Sequence, residues 1–280
     1  MDTRPKRVRI PHLLASKREG RKIAILTAYD YTMARLVDQA GVDAILVGDS
    51  LGNVMLGYDT TLPVTLEDMI HHGRAVRRGA QRALVIVDMP FGSYQAGVDQ
   101  AVDNAVRLMK ETGADAVKVE GGRPIVPAIR RMTEIGIPVM GHLGFTPQSV
   151  HQMGGYRVQG RSREDAEALL EDARAVEAAG AFALVLELIP PDLSAEVTRA
   201  LTIPTIGIGA GPHRDGQVLV LQDMLGMFDD FQPKFVRRFA EVGSVIRGAV
   251  AQYVQDVAAG RFPAPEHTVG GARREEGSPS

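Results

Sequence analysis

The chain contains no cysteine. That absence removes disulfides, thiolate zinc sites, iron–sulfur ligation and cysteine nucleophiles together, and it suits a cytoplasmic protein. Long apolar runs are missing too. No stretch reaches the roughly 18 residues that a membrane helix needs, and the N-terminus lacks the apolar centre of a signal peptide. Charge of either sign is not in excess: 32 Lys and Arg stand against 34 Asp and Glu, a net of −2. A nucleic-acid footprint needs a clear basic surplus on one face, so neither nucleic acid nor membrane is expected as a partner. The basic stretch Arg4, Lys6, Arg7 and Arg9 reads as a solvated arm, because nothing aromatic accompanies it. Several enzyme signatures are also absent. There is no H-E-x-x-H, no G-x-S-x-G and no dense acidic loop of the EF-hand kind, and "GIGAG" (207–211) lacks the dinucleotide spacing G-x-G-x-x-G.

What is present is an alternation. Apolar runs recur as "IAILTA" (23–28), "AILVGD" (44–49), "ALVIVDMP" (83–90), "AVKVEGG" (116–122), "IPVMGHLG" (137–144), "ALVLELIP" (183–190) and "IPTIGIGAG" (203–211), with a weaker eighth, "QVLVLQDML" (217–225). Helical spacing fills residues 30–41, 66–80, 100–114 and 163–181, with Thr65 and Asp68 as a capping pair and glycines at 41, 113 and 180 as stops. Near-continuous apolar strands separated by amphipathic helices imply a parallel sheet covered by helices. Eight such units within 280 residues favour a closed (β/α)8 TIM barrel as one domain with C-terminal helices. An open doubly wound sheet is the alternative, since closure leaves no mark in a sequence. The expected organisation is an N-terminal arm and lead-in (1–19), the catalytic barrel (20–267) and a disordered Gly/Ser/charge-rich tail (268–280). Two long connections, 50–65 and 145–161, follow the carboxyl ends of strands two and five, where barrel active sites form and where long loops act as lids or binding loops.

Five consecutive strands end in a polar residue: Asp49, Asp88, Glu120, His142 and Glu187. Adjacent strands lie ~4.8 Å apart, so Asp49, Asp88 and Glu120 are expected at one rim. Three carboxylates that close push one another's pKa upward, and a hard dication relieves them. Oxygen donors with no cysteine suit Mg2+ better than a softer metal. Lys118, two residues before Glu120, projects from the same face. It either forms a salt bridge with an interior carboxylate, or holds a substrate carboxylate or oxyanion, or forms a Schiff base, the last disfavoured by acidic neighbours. Glu187 is expected across the barrel from the acidic group. Among Leu186, Leu188 and Ile189 it is partly desolvated, which suits a base better than a ligand, though backbone amides could equally satisfy it. His142 is either a hydrogen-bonding polariser or a satisfied interior histidine. His71 and His72 are expected to face solvent from mid-helix.

The segments "TAYDYTMA" (27–34), "LVGDSLGNVMLGYDTTLPVT" (46–65), "VDMPF" (87–91), "VKVEGG" (117–122), "GHLGFTPQSV" (141–150), "GGYRVQGR" (154–161), "LELIP" (186–190) and "IGIGAGPHRDGQVLV" (206–220) closely resemble the ketopantoate hydroxymethyltransferase family, from about residue 20 to about residue 267. The resemblance implies a Mg2+-dependent transfer of a hydroxymethyl group from 5,10-methylenetetrahydrofolate to 3-methyl-2-oxobutanoate, giving 2-dehydropantoate in pantothenate biosynthesis. It implies that Asp49 and Asp88 bind the metal and Glu120 completes its shell. Asp49, Ser50, Asp88 and Lys118 would contact the keto acid, with His142 beside them, and Glu187 would accept the proton. A homodecamer is implied as well. The rival readings are another Mg2+-enolate enzyme on the same barrel, a Schiff-base aldolase, and a barrel without catalysis.

Overall fold

Alternation along each strand is what builds this protein. The inward residues Ile23, Ile25, Leu46, Leu84, Ile86, Ala116, Met140, Val185, Ile206 and Val218 pack into one interior core. Their outward neighbours, such as Ile45, Val85, Val117, Val139 and Leu184, pack into a second core beneath the helices. A computed structural model describes residues 7–228 and 233–269. Its strands are β1 (Ile23–Thr27), β2 (Ala44–Val47), β3 (Leu84–Asp88), β4 (Ala116–Lys118), β5 (Val139–Gly144), β6 (Ala183–Glu187), β7 (Thr205–Ile208) and β8 (Gly216–Leu219). They pair in chain order, all parallel, and β8 returns to β1 through Ile23↔Gly216, closing the barrel. The open sheet is thereby excluded.

The helices are α1 (Ile10–Glu19), α2 (Tyr31–Gln39), α3 (Leu51–Val54), α4 (Leu66–Gly79), α5 (Val98–Thr112), α6 (Val126–Glu134), α7 (Arg163–Ala178), α8 (Pro191–Ala200), α9 (Leu221–Met224) and α10 (Val242–Ala258). Their starts follow local chemistry. Asp30 accepts from the Met33 N–H at α2, Thr65 and Asp68 cap each other at α4, and Ser162 accepts from the Asp165 N–H at α7. α5 stops at Gly113, which takes a left-handed φ of 72°.

Three expectations change. The basic stretch is solvated only in part: Arg9 is exposed, but the lead-in packs on the barrel, where α1 buries Leu13, Val8 joins the interior core, and Lys17 bonds to Asp215 at 2.9 Å. Arg7 pairs with Asp115 at 2.7 Å, while Arg4 and Lys6 lie outside the described residues. The eighth apolar run divides, because the Leu221 N–H finds the Thr27 hydroxyl at 3.0 Å and residues 221–224 turn into α9. His71 is exposed as expected. His72 is half-buried instead, with Nδ1 2.6 Å from the Tyr29 carbonyl. Of the tail, residues 270–280 lie outside the described residues.

Residues 209–215 run directly from β7 to β8 with no helix between them. And α10 leaves only Gly243 buried, with Val245 70% and Tyr253 57% exposed. Among the described residues no helix is long and apolar enough to cross a membrane.

Candidate active site

The parity of the strands carries charge inward. In β4, Ala116 and Lys118 face the interior and Val117 faces the helices, so the ammonium of Lys118 is buried at the carboxyl end. Asp88 closes β3 and is the direct register partner of Lys118. Their side chains meet at 2.7 Å, with Glu120 3.9 Å from the same ammonium. Asp49 lies two residues past β2, and its backbone N–H donates to Asp88 at 3.0 Å. A side chain at Gly48 would crowd Ser50 and approach Asp88, so glycine keeps this rim open. Ser50 shares a 2.8 Å hydrogen bond with the Tyr29 hydroxyl.

His142 stands within β5, between two carboxylates. Nδ1 is 3.4 Å from Glu120 and Nε2 is 3.3 Å from Glu187. These are ion-pair contacts, since neither ring nitrogen nor Glu120 Oε1 makes a hydrogen bond of good geometry. Burial opposes charge on the ring, but the flanking carboxylates outweigh it and push His142 up to about 9. For Glu120 burial is again outweighed, by His142 and Lys118, and its carboxyl is held low. Asp49 goes the other way: burial, then Glu120 and Asp88, push it up to about 8. Lys118 is held charged by Asp88, Glu120 and Asp49 against the cost of burial. Glu187, on β6, stands opposite β2 and so across the barrel from Asp49, and His142 connects it to Glu120 within one cluster.

Asp49, Ser50, Asp88, Lys118, Glu120, His142 and Glu187 all line one cavity of about 670 Å3 at the carboxyl ends of the strands. Both long loops contribute to its wall, through Asn53 and Tyr58 from one and Tyr156 and Arg157 from the other. Lys118 thus answers its own question: it is paired with an interior carboxylate and at the same time faces the cavity.

Sequence reasoning missed Gln148 and Tyr94, both buried. Gln148 donates from Nε2 to Asp49 and to the Met89 carbonyl, both at 2.9 Å, and from its backbone N–H to Glu120 at 3.0 Å. Tyr94 donates to Gln148 Oε1 at 2.7 Å and accepts from the Glu120 N–H at 2.9 Å. Nothing in the spacing of uncharged residues marks them. For Gln148 the signal was the length of the 145–161 connection that carries it; Tyr94, between β3 and α5, had none.

Among the described residues no three His, Asp or Glu side chains form a ready-made metal-binding group. Lys118 stands against Asp88, and Gln148 against Asp49, so the oxygens do not converge. The donor chemistry nevertheless fits a hard dication. Asp49, Asp88 and Glu120 are three buried carboxylates within one rim, the proton affinity of Asp49 is raised by burial and then by the other two, and Glu120 Oε1 is buried without a hydrogen bond.

Fold and site together define a (β/α)8 enzyme whose acid–base cluster sits at the carboxyl mouth of the barrel. The chain matches the ketopantoate hydroxymethyltransferase family over residues 7–265, and it belongs to that family. It is 53% identical over 265 residues to the 3-methyl-2-oxobutanoate hydroxymethyltransferase of Heliobacterium modesticaldum, covering 95% of this chain and 96% of that one. To the enzyme of the same name from Chlorobaculum parvum it is 57% identical over 269 residues, covering 93% and 97%. Among solved structures, a phosphonopyruvate hydrolase in complex with oxalate and Mg2+ has the same fold, with a TM-score of 0.59 at 14% identity and 93% of each chain covered.

Proposed function

We propose that this hydroxymethyltransferase takes its one-carbon unit from 5,10-methylenetetrahydrofolate and joins it to C3 of 3-methyl-2-oxobutanoate by way of the enolate. The observation that carries the reading is the charge layout of the cavity. A buried ammonium at Lys118 and a half-buried carboxylate at Glu187 face one space, joined through Glu120 and His142. That is what proton removal beside a 2-oxo acid requires: a cation for the negative charge that develops on oxygen, and a base on another wall for the proton.

Asp49, Asp88 and Glu120 would hold Mg2+, which when bound supplies the Lewis acidity that makes the C3 proton removable. Ser50 and Lys118 bind and orient the keto acid, the ammonium meeting its carboxylate or its C2 oxygen. Glu187 takes the C3 proton. His142, 3.3 Å from it, fixes the direction of that carboxylate and balances its charge. Water opens the methylene bridge, its oxygen staying on the one-carbon unit as a carbonyl and its two hydrogens leaving on the nitrogens of tetrahydrofolate. C3 then adds to that carbonyl carbon, and the alkoxide formed takes back the proton that Glu187 removed, giving the hydroxymethyl group. The oxalate- and Mg2+-bound hydrolase of the same fold lends support by analogy, since oxalate is also a small acid with adjacent oxygen donors.

The test is hydrogen exchange at C3 of 3-methyl-2-oxobutanoate in D2O, run without folate and with or without Mg2+. Exchange that needs Mg2+, followed by product formation only when methylenetetrahydrofolate is added, is the expected result. Product formation with no folate, or cleavage of another 2-oxo acid in preference, would favour a lyase. Borohydride trapping that resists chelators would favour a Schiff base at Lys118.

The exposed face of α10 supports assembly into a homo-oligomer, for which the family resemblance suggests a decamer. Val245, Ile246, Val250, Tyr253, Val254 and Val257 lie exposed on one helix. On the barrel, Ala24 of β1 is exposed, no helix separates β7 from β8, and the Arg214 side chain lies over Gly207. An apolar helix from a second copy laid on that wall buries both surfaces.

A further inference from the structure

The cavity is larger than its acceptor. At about 670 Å3 it lies within the range of ~300–1,000 Å3 that buries drug-sized ligands, whereas 3-methyl-2-oxobutanoate is a small branched acid. Its lining is also uneven. The charged groups of the acid–base cluster come from β2 to β6. Among the described residues, the wall formed by β7, β8 and the segments after them is largely apolar, with Ile208, Val218, Leu219 and Phe235, and its carboxylate is Asp223. In an eight-stranded barrel β8 stands opposite β4, so Asp223 faces the mouth from the side away from Lys118.

Asp223 belongs to α9, directly after β8, and is half-buried. Its carboxylate makes no hydrogen bond among the described residues. The charged and titratable groups facing it are Arg238, Tyr29 and Tyr156. Burial pushes its carboxyl up to about 6 against the pull of Arg238, so the anion prevails at neutral pH. Phe235 lines the same cavity: a side chain on Gly209 would meet the Phe235 ring at 2.9 Å, so the ring packs directly on the backbone just past the end of β7. Arg157 and Lys234 stand exposed at the rim. A desolvated acceptor beside a flat apolar wall, with cations outside, repels an anionic head group. It matches a planar heterocycle with two adjacent N–H donors and an acidic tail.

We propose that this outer chamber binds the reduced pterin head of the one-carbon donor, with Asp223 accepting hydrogen bonds from the pyrimidinone N3–H and 2-amino group. Phe235 and the apolar wall cover the ring, and the glutamate tail leaves past Arg157 and Lys234. The assignment rests on the tetrahydrofolate reading given above. It places the donor on the β8 side and the acceptor on the β4 side, so that the methylene carbon enters between them.

The experiment measures binding of 5-formyltetrahydrofolate, a stable donor analogue, and of its 2-desamino counterpart, to the Mg2+-loaded enzyme and to Asp223→Asn. A charge-assisted hydrogen bond is worth roughly 10- to 100-fold in affinity. The wild-type enzyme is therefore expected to prefer the 2-amino compound by about that factor. Asp223→Asn is expected to lose most of that preference and to bind 5-formyltetrahydrofolate at least about tenfold more weakly, with keto-acid affinity retained. Equal binding of the two analogues by the wild-type enzyme overturns the assignment without any variant. So does an Asp223→Asn enzyme that binds 5-formyltetrahydrofolate as tightly as wild type, and in that case turnover of methylenetetrahydrofolate still stands. A wild-type enzyme that neither binds nor uses any tetrahydrofolate overturns the donor reading and this assignment together.

Discussion

Gln148 donates to the Asp49 carboxylate at 2.9 Å across 99 residues of sequence, and both side chains are buried. The same amide accepts from Tyr94 at 2.7 Å, so its orientation is determined by its partners on both sides. Such a group acts through the carboxylates that it holds. Partners behind metal ligands typically matter 10- to 100-fold in metal affinity. Gln148→Met, which keeps the length and removes the polarity, is expected to weaken Mn2+ binding by roughly that factor, read by electron paramagnetic resonance on the unreacted protein. Unaltered Mn2+ affinity would reduce Gln148 to a packing residue.

Glu187→Gln retains size and removes the carboxylate proposed as the base. Keto-acid binding is expected to persist, while C3 exchange falls by about 10^2- to 10^4-fold. Rapid deuterium incorporation in the variant would transfer the role to another group.

Lys118→Ala removes the partner of a buried carboxylate, since Asp88 sits 2.7 Å away. Breaking such a pair costs about 3–5 kcal/mol of stability. Keto-acid affinity is expected to fall at least about tenfold, the worth of one hydrogen bond to a charged group. The two readouts separate the roles. Lower urea resistance with full affinity would make Lys118 purely structural.

Gly144 has a φ of 91°, and a Cβ there would lie 2.2 Å from the Glu187 carbonyl oxygen. That same oxygen accepts from the Phe145 N–H at 2.8 Å. Gly144→Ala is therefore expected to lose about 1–3 kcal/mol from backbone strain alone and to displace Glu187. The urea midpoint and the exchange rate should drop together, and a variant as stable and active as wild type contradicts this account.

For α10, a charge set into the apolar face opposes assembly. Val250→Asp with Val254→Asp is expected to yield a smaller species by light scattering, with the barrel's circular dichroism preserved. An assembly of undiminished mass would mean that another surface joins the copies.

Most of the barrel was legible in the chain because both of its signals are local. Apolar runs such as "ALVIVD" need only strand parity, and Thr65 with Asp68 needs only the spacing of one helical turn. α1 was not legible, because the partner that holds its Lys17, Asp215, is 198 residues away. The split of the eighth run was hidden for the same reason, since the Thr27 hydroxyl that receives the Leu221 N–H lies 194 residues earlier.

The sequence by itself determined that Lys118, Asp88, His142 and Glu187 stand at one end of a parallel sheet, because a side-chain period of two fixes which residues share a face once the strands are parallel. Closure of that sheet came from the pairing of β8 with β1. Only the tertiary structure decided who pairs with whom: Lys118 with Asp88 rather than Glu120 foremost, His142 between Glu120 and Glu187, Gln148 on Asp49. Those choices depend on lateral register and loop closure, where a shift of a single hydrogen-bond length changes the partner, and no local pattern of residues encodes distances of that size.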